Sequence, residues 1–170
     1  LGLSSAAAQE RVYWTNVTVE RIQTQPDKIQ RSDLDGEQVD GLITGLLHPT
    51  DIALDTAADK MYLIDAYARK IQRANLDGSN EETLVEGDNF DNFGAISLDT
   101  DSGKMYYSHR DFESGYSLYR ANLDGTERET PFDTRAFYIT LDVPSGKIYW
   151  VWGHGHLPGK PRWIECSRHC

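Results

Sequence analysis

Lys70-Ile71-Gln72-Arg73-Ala74-Asn75-Leu76-Asp77-Gly78 decides the fold, because Lys28-Ile29-Gln30-Arg31-Ser32-Asp33-Leu34-Asp35-Gly36 nearly duplicates it 42 residues earlier. The ending recurs as Leu123-Asp124-Gly125. Two further markers keep the same step. Ala53-Leu54-Asp55, Ser97-Leu98-Asp99 and Thr140-Leu141-Asp142 form one series. Lys60-Met61-Tyr62, Lys104-Met105-Tyr106 and Lys147-Ile148-Tyr149 form the other, with Arg11-Val12-Tyr13 as an earlier copy. Three markers on one period of about 43 residues define an internal repeat, and a period of that size points to stacked supersecondary units.

Each unit reads as strands. Ile52-Ala53-Leu54 and Ile96-Ser97-Leu98 are short apolar runs closed by an Asp, whose carboxylate can bond the backbone of a turn. The segments Thr56 to Asp59, Thr100 to Gly103 and Val143 to Gly146 are those turns, and each leads into a tyrosine strand. Lys70 to Asn75 is a third strand. Asp77-Gly78 supplies the backbone of a tight hairpin, and Glu82-Thr83-Leu84-Val85 returns as a fourth. No stretch patterns as a helix of useful length. Four short antiparallel strands per unit make a propeller blade.

Tyr13-Trp14-Thr15-Asn16 differs by one residue from Tyr-Trp-Thr-Asp and precedes the first long motif. Over residues 11–152 the chain resembles the class B repeat of the low-density lipoprotein receptor family, whose repeats build YWTD β-propellers. Later tetrads read Tyr62-Leu63-Ile64-Asp65, Tyr106-Tyr107-Ser108-His109 and Tyr149-Trp150-Val151-Trp152, so Asp stands at the end of one of them. The expected fold is all-β: a YWTD-type propeller of four-stranded antiparallel blades, about four of them in one domain over 1–170. The repeats fall at about 1–45, 46–87, 88–134 and 135–170, the last without an evident fourth strand. The family closes its ring with more blades than these. The expectation is therefore self-association that completes the propeller, with a compact four-bladed ring and a fragment of a larger ring as the alternatives.

Recurring residues serve packing first. A blade buries both sheet faces against its neighbours, so Tyr13, Tyr62, Tyr106 and Tyr149, with Trp14, Tyr107 and Trp150, read as inter-blade core. Arg31, Arg73 and Arg120 read as clamps onto carboxylates or carbonyls. Function then belongs where the repeat breaks, because loops are released from the packing constraint. In a propeller the connections between blades share one end with the loops joining second to third strands. The first set holds His48 to Asp51, Phe90 to Phe93 and Arg135 to Tyr138; the second holds Asp65 to Arg69, His109 to Phe112 and Trp152 to His156. Aromatics and arginines are enriched at protein-binding hot spots. The candidate ligand-binding residues are Asp51, Tyr67, Arg69, Phe90, Phe93, Arg110, Phe137, Tyr138, Trp152 and His154, with Phe112 and Arg135 beside them. The competing reading of the aromatics is a plug for the central channel.

No nucleophile elbow, phosphate loop or dinucleotide fingerprint is present, so no catalytic residue and no cofactor is assigned. His154 and His156 lie in a glycine-flanked loop without a third ligand, and Cys166, His169 and Cys170 are a lone cluster, so no metal site is assigned. The two cysteines cannot bridge along an extended strand, where four residues span roughly 13 Å. The resemblance implies that a cysteine-rich module follows the propeller; Arg162-Trp163-Ile164 as a degenerate third strand is the alternative.

Seventeen basic against 27 acidic residues give a net charge of −10, which repels phosphate backbones and disfavours nucleic acid unless the few arginines cluster, so no nucleic-acid partner is expected. No run reaches the roughly 18 apolar residues of a membrane helix. Leu1-Gly2-Leu3 aligns with an inner strand, or Ala6-Ala7-Ala8 ends a secretory leader. Asn16-Val17-Thr18 is an N-glycosylation sequon, meaningful in a secreted eukaryotic protein. The expected function is a secreted or extracellular protein-binding module without catalysis. The alternatives are a metal-dependent lactonase-like hydrolase, with Asp51, Asp91 and Asn92 as candidate ligands, and a carbohydrate-binding propeller.

Overall fold

The computed structural model describes residues 10–18, 26–88, 91–111, 115–131 and 134–151. These form twelve strands and, among the described residues, no helix. Four antiparallel meanders follow one another along the chain. The first contains β1 (Arg11–Asn16), β2 (Asp27–Asp33) and β3 (Asp40–Leu46). The second contains β4 (Pro49–Asp55), β5 (Lys60–Asp65), β6 (Lys70–Asn75) and β7 (Glu82–Glu86). The third contains β8 (Asn92–Asp99), β9 (Lys104–Asp111) and β10 (Gly115–Asn122), with Glu129 bridging to Arg120 where a fourth strand would lie. The fourth contains β11 (Tyr138–Asp142) and β12 (Lys147–Val151). The first strands β4, β8 and β11 pack beside one another, the inner-strand order of a β-propeller.

Side-chain alternation places the apolar set between sheets. Tyr62, Ile64, Ile71, Phe93, Met105 and Tyr107 fill the seam between the second and third sheets. Ile29, Ile43, Met61 and Leu63 fill the seam between the first and second, and Leu118, Ile148 and Trp150 that between the third and fourth. Fully burying such side chains is worth about 1.5–3 kcal/mol each.

The arginine clamps are real and directional. Tyr62 faces Arg73 across β5 and β6, and Arg73 faces Glu82 across β6 and β7. Tyr13, Arg31 and Asp40 occupy the same row of the first sheet, and Tyr106, Arg120 and Glu129 that of the third. Bonding to Tyr62, against some burial and with help from Glu82, holds the Arg73 pKa above its ordinary value. From these rows Arg31 Nη1 donates to the Leu76 carbonyl (3.1 Å) and Arg73 Nη1 to the Leu123 carbonyl (3.1 Å), each tying its sheet to the next.

The turns meet the same seams from the other side. A Cβ on Gly78 would lie 2.4 Å from the Leu42 carbonyl oxygen, and one on Gly125 2.4 Å from that of Leu84. Both residues also hold φ near +85°, where an L side chain is strained. At Gly78 and Gly125 only glycine lets the hairpin seat on the preceding sheet, whereas at Gly36 the positive φ alone favours it.

Candidate functional site

The turns between first and second strands lie at one end of the sheets; the connections from one sheet to the next lie at the other. In the second and third sheets this loop end is organised around the last residue of the tetrad. Asp65, 2% exposed at the end of β5, accepts the backbone N–H groups of Leu47 (2.9 Å) and His48 (2.8 Å). Those residues carry the chain from β3 to β4, so one carboxylate pins the incoming connection. At the corresponding position of the third sheet stands His109, 4% exposed. Its Nε2 lies 3.1 Å from Asp91 Oδ2, and the Arg128 guanidinium approaches its Nδ1 at 2.6 Å. Arginine only donates, so Nδ1 is the acceptor, and the Nε2 edge of the ring lies against the Asp91 carboxylate without hydrogen-bond alignment. Asp91 also accepts the N–H of Asp88 at 2.8 Å, closing the connection that precedes β8. Here the acid that accepts the connection's backbone N–H stands in the loop, and the strand residue packs a ring edge against it.

Aromatic rings surround this tie. Phe93 stacks on His109 with centroids 5.0 Å apart, and the Arg128 guanidinium lies 4.2 Å from the Tyr119 ring centroid. Burial, partly offset by the Arg128 charge, pushes the Tyr107 pKa up to about 12. Toward the fourth sheet, Tyr116 meets Phe137 edge to face at 4.7 Å, and Phe137 meets Tyr138 in the same way at 4.7 Å. Arg110 is exposed opposite Tyr116 across β9 and β10. The Ser108 hydroxyl donates to the Phe137 carbonyl (2.9 Å) and accepts from the Ala95 N–H (2.9 Å), fixing this seam.

The structure sorts the expected residues into two groups. Tyr67 is 64% exposed and stacks on His48 at 4.3 Å, beside exposed Leu47. Arg69 is half-buried in the same hairpin, its φ of 57° set by the turn. Tyr138 is 62% exposed, Arg110 is exposed and Phe137 is half-buried between Tyr116 and Tyr138. Asp51 and Phe93 instead serve packing. Asp51 Oδ2 accepts the Ile96 N–H (2.8 Å) of the neighbouring sheet, and burial, against bonds from Ile96 and Ile52, raises its pKa. Phe93 is 1% exposed, because β8 already begins at Asn92 and turns that ring inward. Phe90, Phe112, Trp152, His154, His156, Cys166 and Cys170 lie outside the described residues.

Tyr116 and Arg128 are contributors that the repeat did not single out. Their signal was the register: Tyr116 opposes Arg110, and Arg128 precedes the Glu129 that bonds Arg120. Among the described residues no group of three His, Cys, Asp or Glu is gathered for a metal ion. Asp51 and Asp91 are separately engaged, with Ile96 and with His109.

No family model matches the chain. The low-density lipoprotein receptor-related protein 5-like protein of Homo sapiens is 30% identical over 143 residues, 82% of this chain and 53% of that protein. Low-density lipoprotein receptor-related protein 5 of Mus musculus is 30% identical over 106 residues, 61% of this chain and 6% of its own length. A chain in the crystal structure of a nidogen/laminin complex matches with a TM-score of 0.68 at 25% identity, covering 84% of this chain and 52% of that one. The resemblance to the low-density lipoprotein receptor class B repeat is thus shared with receptor-related proteins and with a solved propeller. The chain spans about half the length of the first of these relatives and a small part of the second. Where the tetrad ends in Asp, as at Asp65, that residue receives two backbone N–H groups of the preceding connection. No helix among the described residues is long and apolar enough to cross a membrane.

Proposed function

We propose that this chain is an extracellular protein-binding module without catalysis, whose ligand docks on the loop end between Tyr67 and Tyr138. One observation carries the reading. The loop end keeps Tyr67 and Tyr138 more than half exposed, with Arg110 exposed beside Tyr116, although the seams beneath are closed by other residues. Large amphipathic rings beside guanidinium groups bury apolar area at low entropic cost while retaining polar contacts, which is the composition of an interface hot spot. Two comparisons support it: the relatives are receptor-related proteins, and the nidogen chain was crystallised in complex with laminin.

Biolayer interferometry against laminin, and then against a panel of secreted extracellular domains, is the test. Tyr67→Ala, Arg110→Ala and Tyr138→Ala each weaken the bound partner by about tenfold or more, as truncated hot-spot residues do. Asp101→Ala, in an exposed turn at the opposite end, leaves binding unchanged. Native circular dichroism in all four variants with loss of binding only in Asp101→Ala overturns the reading.

A further inference from the structure

We propose that Asn16 carries an N-linked glycan, standing on the loop end of the first sheet. The acceptor motif Asn16-Val17-Thr18 has no proline at its centre. The structure adds that, among the described residues, Asn16 makes no tie of the kind its position makes in the second and third sheets. Asp65 and His109 occupy the equivalent places and are buried; Asp65 holds the incoming connection, and His109 lies against Asp91. Asn16 is exposed, and its carboxamide Nδ2 donates to Gln30 Oε1 at 2.7 Å, an exposed pair within one sheet. A substituted Nδ2 keeps one hydrogen and so remains a donor.

The backbone beyond Asn16 is fixed without its side chain. Asn16 is the last residue of β1, and the chain leaves the ladder at Val17. The Thr18 N–H then donates to Asp27 Oδ1 at 2.8 Å, holding the segment against the start of β2. A bulky substituent on Nδ2 therefore projects from a strand end and, among the described residues, displaces no packed group. Tyr67, Arg110 and Tyr138 lie on the second, third and fourth sheets. The glycan covers the loop end of the first sheet and leaves the aromatic surface open.

The donor is a lipid-diphosphate-linked oligosaccharide presented in the secretory lumen. Asn16 Nδ2 attacks the anomeric carbon of the first sugar, and the C–N bond forms as the C–O bond to the diphosphate breaks. One Nδ2 proton is lost and the lipid diphosphate departs, with no change of oxidation state. The site rests on the extracellular reading above.

The test expresses the full chain behind a secretion leader in cultured animal cells, with a tail bearing one efficiently used control sequon. Peptide N-glycosidase digestion in heavy-oxygen water, followed by mass spectrometry, reads occupancy at each asparagine. The expected result is a glycan at both sites and two downward mobility steps on digestion. Asn16→Gln and Thr18→Ala each lose one step, and Thr18→Ser keeps it. An occupied control beside an unmodified Asn16 overturns the site alone. An unoccupied control means that the chain does not enter the lumen, which overturns the extracellular reading and the site with it.

Discussion

At the turn end of the sheets the same residue types make the same contacts from blade to blade; at the loop end equivalent positions do not. Arg31 and Arg73 reach the leucine carbonyl of the following turn at the same 3.1 Å, and Gly78 and Gly125 seat on the preceding sheet at the same separation. Asp77 and Asp124 accept the N–H and hydroxyl groups of Ser79 and Thr126, which lowers both pKa values. The last tetrad position, by contrast, is Asn16 bonded to Gln30, Asp65 bonded to two amides, and His109 between Asp91 and Arg128. The turn end contacts backbone whose spacing is set by sheet packing, so few side chains fit. The loop end pins connections of differing sequence, and any complementary donor and acceptor will serve.

The largest effect tests the rigidity of the turn end. Gly78→Ala and Gly125→Ala force a Cβ against a backbone carbonyl in a left-handed residue and cost about 3 kcal/mol or more in urea unfolding. Gly36→Ala has the same φ class but nothing within 4 Å of the added Cβ. It costs about 1 kcal/mol, the left-handed penalty alone. Equal losses at Gly36 and Gly78 would sink the account of the seat.

Next comes the loop end. Asp65→Ala strands the amides of Leu47 and His48 and costs about 2 kcal/mol, whereas Asp65→Asn, which keeps an acceptor oxygen, costs less. A double-mutant cycle then sharpens the contrast between the two ties. Asp91→Ala and His109→Ala couple by about 1 kcal/mol because they share one contact, while Asp65→Ala and Asp91→Ala add independently. Additivity within the Asp91–His109 pair would break the claim that ring edge and acid pack as one contact.

The smallest effect is a pH dependence of opposite sign at the two ends. Burial, against bonds from Ile96 and Ile52, raises the Asp51 pKa above its ordinary 3.8. The folded state thus favours its protonated form; its contribution is greatest below 3.8 and declines as pH rises through the folded value. For Asp77 and Asp124, whose pKa values are lowered, stability is present above 3.8 and is lost as pH falls through their folded values. Asp51→Asn should reduce the decline of stability with rising pH just above 3.8, and Asp77→Asn the loss on acidification below it. Urea titrations from about pH 7 to about pH 3 measure both.

The strand plan could be read from spacing because backbone contacts recur with the repeat. Ile52 to Leu54, Lys70 to Asn75 and Glu82 to Val85 fall within β4, β6 and β7, and the arginines act as clamps. The site was legible only in part. Phe93 looks like loop because Phe90-Asp91-Asn92-Phe93 is polar and aromatic by turns, yet β8 starts at Asn92 and buries the ring. Asp51 looks like a surface acid, but its acceptor role depends on an amide 45 residues away. Arg128 carries no motif; its partner His109 is brought to it by the third sheet.

The sequence alone determined the repeat, its period, the strands within each unit and the tyrosine, arginine and glycine positions that join one blade to the next. Those residues answer to local hydrogen-bond geometry and to a fixed sheet spacing, both of which leave a periodic trace. Tertiary structure alone decided that Tyr67 and Tyr138 face solvent, that Phe93 does not, and that His109 lies against Asp91 while Asp65 bonds Leu47 and His48. These outcomes depend on side chains from separate segments meeting across a seam, and such meetings leave no period in the chain.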